Sequence, residues 1–193
     1  SLAGPANKQG RIAADNICGG NSHFHGSQGS SVLKLFGLTA ASTGINEKTA
    51  RAAGIAYDKV VLFPASHAAY YPGAQSMVMK VLYEKESLRL LGAQIVGGDG
   101  VDKRIDVLAT AIRAKMTALE LTELDLSYAP PYSSAKDPVN MAGFMIENLE
   151  NGKVRQFHWN DVEDLPCDGS ATLLDVRTAW EYQRGHLDGF RNI

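Results

Sequence analysis

SYAPPYSSAKDPVNMAG, residues 127–143, joins a rigid aromatic loop to the start of a helix. Tyr128 and Tyr132 flank Pro130 and Pro131. Asp137 is a strong helix N-cap, and Pro138 suits the first helical position, where its missing N–H costs nothing. Such a loop presents phenol hydroxyls at a fixed place, beside the partial positive charge and free donors of a helix N-terminus. Turn chemistry alone also accounts for every residue in it, with the tyrosines then serving as packing residues.

Working outward, the helix from Pro138 to about Leu149 carries Val139, Met141, Phe144, Met145, Ile146 and Leu149. That is more apolar surface than one neighbour covers, and it points to a subunit interface. Upstream, the spacing predicts a helix over Val101–Met116 with an apolar stripe of Ile105, Leu108, Ile112 and Met116. In a dimer these two helices are expected to pair. Thr117 and Glu120 form a capping box for a further short helix. The preceding Gly97-Gly98-Asp99-Gly100 mimics a dinucleotide-binding turn, but the third glycine of that fingerprint is replaced by Lys103. It therefore reads as a close-packed turn.

Strand-like runs occupy Lys59–Phe63, Ser76–Glu84 and Leu90–Val96, the last two joined by a polar turn at Lys85-Glu86-Ser87. Tight connections argue for an antiparallel sheet. Ser31–Thr43 reads as one strand bent near Gly37, or as two. Asn46 caps a short helix that ends at Gly54. Near the start, Asn7–Cys18 reads as a helix stopped by Gly19-Gly20. His23 and His25 lie two apart in a Gly- and Ser-rich loop without a third metal ligand, so no metal is expected. The fold class expected is α+β: an antiparallel sheet with helices packed on one side, followed by a short α/β segment.

Bulk properties narrow the function classes. The chain has 193 residues, is 45% hydrophobic and 21% charged, and carries a net charge of −2. No basic block argues for nucleic acid or a membrane surface. The longest charge-free run, Val60–Met79, contains Pro64, Pro72 and Gly73 and is not a membrane span. Cys18 and Cys167 stand far apart, outside any CxxC or metal-ligand spacing, which points to a reducing, cytoplasmic setting. The chain opens without a signal-peptide pattern.

Five stretches together resemble one family. They are LAGPANKQGRIAADN (2–16), LTAASTGINE (38–47), SHAAYYPGA (66–74), VGGDGVDKRIDVLATAIRA (96–114) and the opening 127–143 segment. In this order they are similar to the C-terminal domain of flavin-dependent pyridine nucleotide–disulfide oxidoreductases. The likeness is to the branch of coenzyme A-disulfide reductases, NADH oxidases and persulfide reductases, over roughly residues 2–150. It implies that residues 1–20 end an FAD domain and that 21–152 form the dimerisation domain. It also implies FAD, NAD(P)H and coenzyme A as cofactors and substrate of a longer parent, and a homodimer in which this domain completes the partner subunit's active site. There, two tyrosines hydrogen-bond at the sulfur of a cysteine on the FAD domain. Tyr70 and Tyr128 are the expected pair, with Tyr71 and Tyr132 as alternatives. Phenols suit that role because they stabilise a thiolate or donate to a leaving thiol. Pro5, Ala6 and Asn7 would lie at the flavin. His67 lacks the Pro and Glu that would follow an acid–base histidine in the glutathione-reductase pattern, which favours the coenzyme A branch.

Residues 153–193 are read as the start of a second domain. TLLDVRTAWEYQRGHLDGFRNI (172–193) resembles the first part of a rhodanese domain, in which Asp175, Arg177, Glu181 and His186 are structural. The persulfide-carrying cysteine of that family lies downstream of this motif, and Cys167 precedes it. Some forty residues cannot bury a full core, so this segment is expected to lean on a neighbour. The chain thus reads as a piece of a larger enzyme, inactive alone and without tightly bound FAD. The alternatives are an NADH oxidase of the same family and a dimerisation or scaffold module without catalysis.

Overall fold

A computed structural model describes residues 3–166 and 168–193, so Cys167 lies outside the described residues. The chain divides into two units, residues 1–153 and 154–193.

The larger unit begins with α1 (Ala3–Ile17) and centres on five strands: β1 (Ser31–Leu35), β2 (Leu38–Gly44), β3 (Tyr57–Leu62), β4 (Met77–Glu84) and β5 (Leu90–Gly97). They form one sheet in the order β1-β2-β5-β4-β3, antiparallel throughout. The 31–43 run is therefore two strands, and Phe36, at φ 51°, turns between them. β3 starts two residues earlier than the pattern predicts, because Tyr57 and Asp58 pair with Glu84 and Tyr83.

Side chains alternate across the sheet as the strand period requires. Met77, Met79, Val81 and Tyr83 of β4, with Ala93 and Ile95 of β5, form a buried face. Against it pack α3 (Val101–Arg113), through Val101, Ile105 and Leu108, and α4 (Pro138–Glu150), through Val139, Ala142 and Ile146. α3 is shorter than its stripe implied. Lys115 adopts φ 60° and stops it, and Met116 instead gives its carbonyl to the Leu90 N–H on the sheet. The Thr117–Glu120 box forms and opens a 3₁₀ turn, Leu119–Glu123.

Ile105 and Leu108 of the α3 stripe are buried against the sheet, while Ile112 and Met116 are partly buried beside them. What α4 leaves outward is half-buried Met141, Phe144 and Met145, beside exposed Phe63.

The opposite sheet face is covered at one corner by α2 (Glu47–Ala52), capped by Asn46. Glu47 there meets Lys59 at 2.7 Å and Lys80 at 3.0 Å. Burial by itself would raise the Glu47 carboxyl, but hydrogen bonds and charge from the two lysines outweigh it and bring it from 4.5 to about 2. The folded value lies below the unfolded one. The cluster therefore stabilises the fold above about pH 4.5 and loses its effect as pH falls towards 2. Glu47→Gln should cost about 1–2 kcal/mol at pH 7, below the full linkage value because the cluster is partly solvated. Urea unfolding across pH should show that cost vanish near the folded pKa. An equal loss at both ends would assign it to packing.

The smaller unit holds β6 (Leu174–Asp175) and β7 (Arg191–Asn192), paired in parallel, and α5 (Ala179–Arg184). Arg177 is fixed by Asp175 at 2.7 Å and by the Gly185 carbonyl at 2.9 Å. Hydrogen bonds from Arg177 hold the Asp175 carboxyl below its ordinary range. Glu181 closes a capping box with Thr178, and His186 stacks on Tyr182 at 3.8 Å. None of the described residues from 154 onward is fully buried. This matches the small core expected of so short a segment.

Candidate functional site

Two loops of the larger unit converge. One, residues 66–73, leaves β3 for β4; the other, residues 127–133, leads into α4. The backbone clips them together, with the Ala68 N–H donating to the Ser133 carbonyl at 3.1 Å. The two hydroxyls they present, Tyr70 Oη and Tyr128 Oη, lie 3.2 Å apart. Tyr70 is 77% and Tyr128 47% exposed, so the pair faces outward, open to a group from outside this chain. The hydrogen bond it shares with Tyr70, with a smaller contribution from desolvation, holds the Tyr128 phenol above its ordinary value. Tyr128 therefore stays protonated and able to donate at neutral pH.

The two alternative tyrosines are placed differently. Tyr71 packs edge-on against the His67 ring, at 5.9 Å between centroids. Tyr132 is 72% exposed, and its main-chain carbonyl is what the site uses. His67 is buried, with Nδ1 3.1 Å from Ser66 Oγ and Nε2 3.3 Å from the Pro72 carbonyl. It braces the loop from inside.

Beneath both loops lies a residue that the sequence reading passed over. Arg104 of α3 is 1% exposed and Asp137 3%. Nε and Nη2 of Arg104 donate to Asp137 Oδ2 at 3.2 and 3.0 Å. Nη1 donates to the Gly100 carbonyl at 3.1 Å. Nη2 also lies 2.9 Å from the Ser66 carbonyl, 3.3 Å from the Tyr132 carbonyl and 3.2 Å from Ser133 Oγ. Asp137 in turn accepts from the Val139 N–H at 3.0 Å and completes a capping box with Asn140, so the cap foreseen from sequence also carries the buried charge pair. Gly100 sits at φ 69°, and a Cβ there would collide with Arg104 Nη1. The glycine turn is thus close-packed on the arginine. A signal for Arg104 was present: it shares a helical side with Val101, Ile105 and Leu108, and a charge in such a place is buried and must be paired.

Pro5, Ala6 and Asn7 lie in the first turn of α1, a helix without a buried residue. Pro5 lines a cleft of about 780 Å³ between α1, the 23–30 loop and α3, while the Asn7 side chain turns back to the Ala3 carbonyl at 3.0 Å. Among the described residues no group of three or more His, Cys, Asp or Glu is placed to hold a metal, and no helix is long and apolar enough to cross a membrane.

A five-stranded antiparallel sheet with two helices on one face defines an α+β domain. Residues 31–138, more than half the chain, match the pyridine nucleotide-disulphide oxidoreductase dimerisation domain, and the chain belongs to that family. It is 41% identical over 147 residues to a coenzyme A disulfide reductase from Staphylococcus epidermidis, covering 76% of this chain and 33% of that one. Among solved structures, reduced Bacillus anthracis CoADR-RHD aligns with a TM-score of 0.91 at 47% identity, over 100% of this chain and 34% of the other. A NAD-dependent persulfide reductase from A. fulgidus aligns with a TM-score of 0.88 at 41% identity, over 97% and 34%. The chain therefore spans about a third of the length of the relatives it matches.

Proposed function

We propose that this chain is the dimerisation part of a flavin-dependent reductase that acts on coenzyme A disulfide or a coenzyme A persulfide. In this reading it places Tyr70 and Tyr128 at the redox sulfur of a partner subunit. The observation that carries it is the 3.2 Å meeting of two exposed phenols from separate loops. A lone exposed tyrosine is ordinary; two loops braced from below so that their hydroxyls touch supply a donor pair with no further use inside the chain. A thiolate approaching the pair would accept from a phenol hydroxyl that its neighbour keeps oriented.

Residues 1–20 close the FAD domain, 21–152 form the dimerisation domain, and 153–193 begin a rhodanese-like one. FAD, when bound, supplies electron transfer between NAD(P)H and the sulfur. Towards it the chain offers the N-terminal end of α1 at Pro5, Ala6 and Asn7, where the helix dipole favours negative charge. α1, which has no buried residue, fits a helix whose packing partner is another part of a longer enzyme. The half-buried Met141, Phe144 and Met145 of α4 are the surface for a second copy.

The test is an assay of a full-length reductase carrying this chain. NAD(P)H oxidation should depend on coenzyme A disulfide or persulfide, whereas this chain alone should match a buffer blank and retain no flavin on gel filtration. Oxidation driven by dioxygen and indifferent to coenzyme A disulfide would instead make the parent an NADH oxidase. Turnover by the isolated chain would overturn the reading.

A further inference from the structure

We infer that Arg104, locked by Asp137, is the positioning residue of the tyrosine pair, setting the two loops at the separation at which Tyr70 and Tyr128 hydrogen-bond. The inference rests on the reading of that pair as functional, but its geometry stands by itself.

A buried arginine is a poor choice for stability, since well-packed apolar residues of similar volume serve as well or better than a buried ion pair. The partners of Arg104 show what it gains. Apart from Asp137 and the Gly100 carbonyl, they are the Ser66 carbonyl at the foot of the Tyr70 loop and the Tyr132 carbonyl and Ser133 hydroxyl of the Tyr128 loop. One planar guanidinium thus fixes main-chain atoms on both loops at once, with Nη2 the shared point. A planar fork measures distance in a way that a point charge on a flexible stem does not. Asp137 holds that fork through Nε and Nη2 and receives the Ser133 hydroxyl at 2.7 Å, so arginine, aspartate and loop form a closed set. The Ala68–Ser133 backbone bond would survive loss of the arginine. The loops would then stay attached but lose their spacing.

The experiment uses this chain labelled with ¹³Cζ-tyrosine and follows Tyr128 by NMR across alkaline pH. Tyr70→Phe gives the midpoint of an unpaired Tyr128. In Arg104→Lys, which keeps the charge but loses the fork, the Tyr128 midpoint should fall to that reference while the chain still unfolds cooperatively. A midpoint equal to wild type in folded Arg104→Lys overturns the inference. Should that variant not fold, Ser133→Ala removes one hydroxyl from the set without removing a charge. It should shift Tyr128 part of the way, and an unmoved midpoint is again fatal. Neither result depends on turnover. A lost pairing in Arg104→Lys together with full activity of a Tyr70→Phe, Tyr128→Phe reductase would leave the positioning role standing and remove the catalytic reading of the pair.

Discussion

In a full-length reductase carrying this chain, replacing Tyr70 and Tyr128 together by phenylalanine should lower disulfide turnover by roughly 10²- to 10⁴-fold, the range over which a positioned proton donor contributes. The dimer should persist, because both hydroxyls are exposed and neither ring belongs to the core cluster. The single variants should not add. If the two phenols act as one donor unit, losing either one removes most of the effect, as with other groups that work together. Their pH profiles should also differ. The bond shared with Tyr70 raises the Tyr128 phenol, so its proton persists to higher pH than in an ordinary tyrosine. Tyr70→Phe removes that bond, and the alkaline limb of kcat/KM should move to lower pH. Tyr128→Phe removes the donor and should flatten that limb. Unchanged turnover in the double variant would withdraw the tyrosines from the chemistry altogether.

The sheet was legible because its strands carry local signals. Apolar runs broken by polar turns and glycines marked β1, β2, β4 and β5 to within a residue or two. Asp137-Pro138 marked the start of α4 to the residue, because cap and first-turn chemistry are local. Errors came where tertiary contacts override the pattern. Tyr57 and Asp58 join β3 because Glu84 and Tyr83 stand opposite them, and Met116 leaves the α3 stripe to bond the sheet. α1 begins at Ala3, ahead of its proline, since Pro5 is tolerated in a first turn.

The candidate site was legible differently. Nothing in local spacing joins residues 70 and 128, and only the resemblance put both on one short list. The resemblance placed Tyr70 and Tyr128 ahead of Tyr71 and Tyr132, and the structure brings those two hydroxyls within 3.2 Å of each other. Arg104 was readable in principle as a charge on an apolar helical side. Its partners could not be read, since they are main-chain carbonyls on distant loops and a sequence does not display main-chain positions.

Asp137→Ala should be the most destabilising substitution in the larger unit. It strands the buried Arg104 charge, at about 3–5 kcal/mol, and removes the α4 cap, at about 1 kcal/mol. For a chain of this size the charge term alone should lower the thermal midpoint by about 6–20 °C, at about 2–4 °C per kcal/mol. Asp137→Asn separates the two costs. Asparagine caps as well as aspartate, so it keeps the Val139 N–H bond and loses only the countercharge. Its midpoint should lie above that of the alanine variant by the cap alone, a few degrees. Arg104→Met combined with Asp137→Asn removes both charges and should be less destabilised than the sum of the two single changes, the sign expected when each single variant leaves an uncompensated group behind. Calorimetry of the four proteins closes that cycle. Simple additivity would mean that the pair is solvated and not buried as the 1% and 3% exposures require. The double variant also separates stability from positioning. It should regain much of the lost midpoint, yet with no guanidinium to span the Ser66 and Tyr132 carbonyls, its Tyr70–Tyr128 pairing should stay broken.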